Sequence, residues 1–188
     1  MNKFQDWQKS REMWIRLLEE STGEGLDTWN RRIQREGVRD EQSLRAWLAQ
    51  QGVTGYAQTL LVMERFGYPD FLVASAEQLI DGQYADRPQL RPVLDAIINA
   101  ALEFGDVTIQ ARKTYVSLVS PRRTFARVQP TTKTRVDLGL RLEGQKPGGR
   151  LEPSTIQETM KLKISLTSVE QVDDEVVRWL RQAYDENS

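Results

Sequence analysis

The stretch Lys113–Leu142, KTYVSLVSPRRTFARVQPTTKTRVDLGLRL, carries seven Lys and Arg residues and one carboxylate, Asp137. Its apolar residues alternate, as they do in strands that bury one face. Alternation turns Val136, Leu138 and Leu140 inward and Arg135, Asp137, Gly139 and Arg141 outward. The later run MKLKISL reads the same way, with Leu162, Ile164 and Leu166 inward and Lys161, Lys163 and Ser165 outward. Val116 and Leu118 face in and Tyr115 out; Ala126 and Val128 face in, leaving Phe125, Arg127 and Gln129 out. Arg122 and Arg123 sit in the turn between those two runs. Cations that neutralise phosphates, interleaved with rings that stack on bases, suit a nucleic-acid surface. The expected contact set is Tyr115, Arg122, Arg123, Phe125, Arg127, Arg135, Arg141, Lys161 and Lys163. Gly139 leaves room for a ring or ligand to come close.

Other chemistries are restricted by two absences. The chain has no Cys and no His, which excludes disulfides, thiolate catalysis, histidine acid–base work and most transition-metal sites. An enzyme would rest on carboxylates, Lys, Tyr or Ser, with a divalent metal such as magnesium. Asp106, Asp137, Glu143 and Lys146 are the residue types of a metal-dependent nuclease. In EGQK, however, residues three apart on a strand point to opposite sides. KPGG, at Lys146–Gly149, lacks the spacing and following helix of a phosphate loop. No motif calls for a cofactor.

A structural reading of the cations competes with the binding one. Lys and Arg line exposed strands to prevent edge pairing, and they also pair with acids elsewhere in a chain. Residues 1–80 hold ten Lys and Arg against twelve Asp and Glu, whereas residues 107–167 hold twelve against four. This asymmetry points to an anionic partner or to pairing within the protein. Three readings follow: DNA or RNA on the basic face, packing of that face on the helical part or a protein partner, and the nuclease. Binding is favoured over catalysis.

The elements that must hold these residues are legible. DWQKSREMWIRLLEE, LDTWNRRIQREG, DEQSLRAWLAQQG and GYAQTLLVMERFG each place apolar residues at helical spacing, with Gly37 and Gly52 as stops. They predict a small helical bundle over residues 1–66, with Trp14, Trp29, Trp47 and Tyr56 in its core. Residues 67–85 read as a packed connector. An α+β domain over 86–188 opens with a helix capped by Asp86, irregular near Pro92. Strands follow from VTIQ, TYVSLV, TFARVQ, TRVDLGLRL and MKLKISL, with EGQKPGGRLEPST as turn. A last helix starts at Ser168 with a Ser168–Gln171 capping box. The fold class is α+β: a helical bundle, then an antiparallel sheet flanked by two helices.

At 39% hydrophobic and 28% charged residues, the chain reads as a folded cytoplasmic protein with no membrane-spanning run. ERFGYPDFL, LIDGQYADRPQLRP, RKTYVSLVSPRRTFARVQPTTKTRVDLGLRL and LTSVEQVDDEVVRWLRQAY resemble an uncharacterised bacterial family. In that family a small helical domain of unknown function is joined to an α+β domain of unknown function. The resemblance implies this division and no catalytic residues. TFARVQ, RVDLGLRL, TMKLKISLTS and VVRWLRQAY, within residues 87–184, are also similar to the YjbR-like group. That likeness implies a double-wing DNA-binding fold.

Overall fold

The structure, a computed structural model, describes residues 7–69 and 74–188, and these two stretches form separate compact units. The first unit contains α1 (Trp7–Thr22), α2 (Leu26–Glu36), α3 (Glu41–Gln50) and α4 (Gly55–Phe66). Each helix turns an apolar stripe inward, so Leu18, Trp29, Ile33, Leu44, Leu48, Leu60 and Leu61 close one core. Gly37 ends α2 at φ 71°, where a side chain would be strained, and its N–H donates to the Ile33 carbonyl at 3.3 Å. Asp40 caps α3 by accepting from the Ser43 N–H at 2.8 Å. Arg11 ties α1 to the end of α4 through Glu64, at 2.6 Å, and the Tyr68 hydroxyl, at 3.0 Å. Trp14 and Trp47 are partly buried against this core. Tyr56 departs from the sequence expectation, being 62% exposed with its ring stacked on Trp14 at 5.6 Å. It lies on the outside because Ala57, Leu60 and Leu61 already fill the inward stripe of α4.

The second unit begins with α5 (Ala76–Tyr84). Its Ser75–Gln78 capping box is complete, with bonds of 3.2 and 2.8 Å. Ile80 and Tyr84 join the core of this unit, and the Gln83 amide donates to the Arg112 carbonyl at 2.6 Å. The stretch read as a connector thus contributes an element to the sheet domain. A 3-10 turn, Pro88–Leu90, precedes α6 (Arg91–Leu102). Asp86 is not the helix cap; it pairs with Arg87 at 2.7 Å. The α-helix proper starts afresh at Arg91 because Pro92 lacks an N–H and is tolerated only in a first turn.

Six strands follow: β1 (Thr108–Ala111), β2 (Val116–Val119), β3 (Thr124–Pro130), β4 (Val136–Leu140), β5 (Glu152–Gln157) and β6 (Met160–Leu166). They form one antiparallel sheet in the order β1-β2-β3-β4-β6-β5. The sequence reads Glu152–Thr155, most of β5, as turn. Pro153 is admissible there because β5 is an edge strand with one hydrogen-bonding neighbour. The last helix, α7 (Asp174–Asp185), starts later than Ser168. Its cap is Asp173, which accepts from the Val176 N–H at 3.1 Å, while Gln171 accepts from the Thr167 N–H at 2.7 Å.

One face of the sheet is apolar. Leu90, Leu94, Ile97 and Ile98 share a core with Val136, Leu138 and Leu140, and Val176, Leu180 and Ala183 complete it. Asn187, fully buried, closes the C-terminus by donating to the Arg141 carbonyl at 2.9 Å and accepting from Ser120 at 2.6 Å. The protein is α+β, with a helical unit followed by a sheet unit. Among the described residues no helix is long and apolar enough to cross a membrane.

Candidate nucleic-acid interface

The β3–β4–β6 registers set Arg127 opposite Gly139 and Gly139 opposite Lys163, and in the next row Gln129, Asp137 and Ser165. All six lie on the face away from the helices, as alternation along β4 and β6 requires. Arg141 follows the end of β4, and Lys161 lies near the start of β6.

Asp137 is the centre of one half of this face. It sits on the central strand and is only 2% exposed. Its carboxylate accepts from Thr131 at 2.8 Å, from Lys163 at 3.1 Å and from Ser165 at 3.1 Å. Arg135 adds a 3.3 Å hydrogen bond from its Nη2, while its Nε lies 3.0 Å away without pointing its hydrogen at the carboxylate. Burial pushes the Asp137 pKa up, but the hydrogen bonds and the Lys163 charge outweigh it and hold the group below the usual carboxylate range. Glu152, from β5, extends the cluster to Lys163 at 3.7 Å and to Ser165 at 3.1 Å. Here two cations meet two carboxylates.

Arg127 is placed differently. Its guanidinium lies 3.5 Å from the centre of the Tyr115 ring, a cation–π stack. It donates to the Gln129 side chain at 2.9 Å and to the Ile156 carbonyl at 3.3 Å, and its buried Nε finds no acceptor. No carboxylate among the described residues pairs with it. Burial pulls its pKa below the usual arginine value, because a charge removed from water is penalised unless a counter-charge replaces the water.

The other nominated residues divide. Arg123 pairs with Glu143 at 2.8 Å. Arg122 and Lys161 are exposed and Arg141 half-buried, and their side chains have no hydrogen-bonding or ionic partner among the described residues. Phe125 is a correction: it is fully buried, in the core, edge-on to Tyr184 at 5.4 Å and 82°. Leu118 faces Ala126 but Val119 faces Thr124, so Phe125 is an extra residue on β3. Such a bulge breaks the alternation and sends the ring inward. Gly139 also departs from expectation. The space beside its Cα is filled by Ile156 and Met160, each 3.5 Å from where a Cβ would stand.

The nuclease residues are not brought together. Glu143 is taken by Arg123, Lys146 is on an exposed loop, and Asp106 precedes β1, three strands away from β4. Among the described residues no group of three acidic side chains could hold a metal ion. Sequence reasoning missed Glu152, hidden in a segment read as turn, and Thr131, whose contact with Asp137 depends on the β3–β4 register.

Residues 80–187, more than half of the chain, match the family described as a domain of unknown function, DUF5655. The match covers the sheet, α6, α7, the second half of α5 and the cations above. No curated protein and no solved structure matches the chain.

Proposed function

Since the chain belongs to the DUF5655 family, we propose a function for its sheet domain, binding of nucleic acid through the cations of the polar sheet face. The observation that carries this reading is Arg127. A guanidinium held rigid on a ring, part-buried and without a carboxylate, lacks a counter-charge. A phosphate oxygen supplies one and takes a charge-assisted hydrogen bond. Arg122, Arg141 and Lys161 add charge that no acid among the described residues cancels.

A structural role is favoured for two of the nominated cations. Arg135 and Lys163 are held by Asp137 at 3.0 and 3.1 Å, so they belong to the sheet's own charge balance. The contact set narrows to Arg122, Arg127, Arg141 and Lys161, with Arg123 beside them.

The test is a fluorescence anisotropy titration of the full chain into labelled mixed-sequence nucleic acid at low salt. Replacing Arg122, Arg141 and Lys161 together by Ala should weaken binding by about tenfold or more and leave the circular dichroism spectrum unchanged. No binding by the folded wild-type protein, or binding untouched by the triple replacement, would sink the reading.

A further inference from the structure

The polar face also bears on which form of nucleic acid it takes, an inference that rests on the binding reading above. Proteins that hold single strands offer aromatic faces on which successive bases stack. Among the described residues this face offers a single ring, Tyr115, half-buried. The Tyr115 ring is covered on one side by the Arg127 guanidinium at 3.5 Å, and Phe125 is fully buried behind the sheet. Among the described residues of this unit the only exposed large hydrophobic side chain is Val169, in the turn before α7. The hollow at Gly139, where a base would enter, is occupied by Ile156 and Met160.

Neutral groups that read base edges are equally scarce. The Gln129 carbonyl oxygen is engaged by Arg127 at 2.9 Å, both Asp137 oxygens are saturated, and Ser117 is buried. What remains is charge. Arg127 stands on β3, Arg141 just after β4 and Lys161 near the start of β6. Arg122 lies in the β2–β3 turn. Cations carried on a pleated surface, with Arg127 held on its ring, suit the regular phosphate ladder of a duplex better than a flexible strand.

We propose that this face binds the phosphate backbone of a duplex and discriminates against single strands. Tyr115 then acts as a positioning residue: it orients Arg127 and touches no base. Duplex DNA and duplex RNA share the chemistry that would be recognised.

The experiment compares the full chain on three probes of one mixed sequence: duplex DNA, its separate strand and duplex RNA. A duplex should bind about tenfold tighter than the single strand at equal salt, and preference for either duplex over the strand supports the proposal. Tyr115→Phe should bind as wild type, because the ring face persists. Tyr115→Leu should lose about threefold on the duplex, since Arg127 loses its support. Single strands bound as tightly as duplexes, with the Tyr115→Leu loss confined to them, would overturn the duplex assignment and leave the binding reading standing. Absence of binding to all three probes would overturn both.

Discussion

Arg127 and Arg135 stand on the same face of one sheet, and their surroundings are opposite. Arg135 shares the buried Asp137 with Lys163, and the cluster is completed by Thr131, Ser165 and Glu152. Arg127 has an aromatic ring, an amide and a carbonyl, and no carboxylate among the described residues. The first cation is part of what holds β4 and β6 in place. The second is a charge held in position without its counter-ion. A basic sequence is therefore not yet a basic surface: the single acid of Lys113–Leu142 removes Arg135 from availability, and Lys163 from β6 with it.

The largest expected effect lies behind the face. Phe125→Ala should cost about 3–5 kcal/mol in chemical denaturation, as for a fully buried aromatic, and should leave the affinity of the protein that remains folded unchanged. A loss near zero, with weakened binding, would return Phe125 to the polar face and cancel the bulge.

Asp137→Ala comes next. It leaves two cations without their shared counter-charge, which costs about 3 kcal/mol, the low end for breaking a buried pair, because Arg135 can turn toward water. The pH dependence has a definite sign. The folded pKa of Asp137 is depressed, so its contribution is complete above the unfolded value of about 3.9 and is lost as pH falls through the lower folded value. Stability measured on the acid side should decline less in the Asp137→Asn variant than in the wild type. An identical acid profile would mean that the carboxylate is not held as described.

Arg127→Gln should behave in the contrary way. An uncompensated, partly desolvated charge contributes little to stability, so the change should be under about 1 kcal/mol. Nucleic-acid affinity should fall all the same. Smallest of all, Lys161→Ala and Arg122→Ala should each shift stability by less than about 0.5 kcal/mol, with small additive losses in binding. A stability loss at Arg127 as large as that at Asp137 would erase the distinction between the two halves.

Much of this was legible in the residues. Alternation gave the correct faces for β4 and β6, because Leu138, Leu140, Leu162 and Ile164 leave one apolar side and register follows it. Helical spacing and Gly37 located the first helices. What stayed hidden depended on neighbours. The bulge at Phe125 is a mismatch between two strands, and neither strand's sequence carries it. β5 combines Glu152 and Pro153, which read as turn until an edge position makes both admissible. The two misplaced caps lost to local competitors: Pro92 restarts its helix, and Asp173 outbids Ser168 at the other. The Asp137 cluster lay half in view. Asp137 is the lone outward acid, but its contacts with Lys163 and Ser165 require the β4–β6 pairing that brings residues 26 and 28 positions apart together.

The most direct test of the difference between the two arginines is the salt dependence of duplex binding for Arg127→Gln and Arg135→Gln beside the wild type. Each phosphate neutralised contributes about −0.9 to the slope of log affinity against log salt concentration on duplex DNA. Arg127→Gln should flatten the slope by about 0.9, and Arg135→Gln should leave it unchanged. Equal flattening by both variants, or flattening by Arg135→Gln alone, would contradict the assignment of Arg135 to the fold and Arg127 to the ligand.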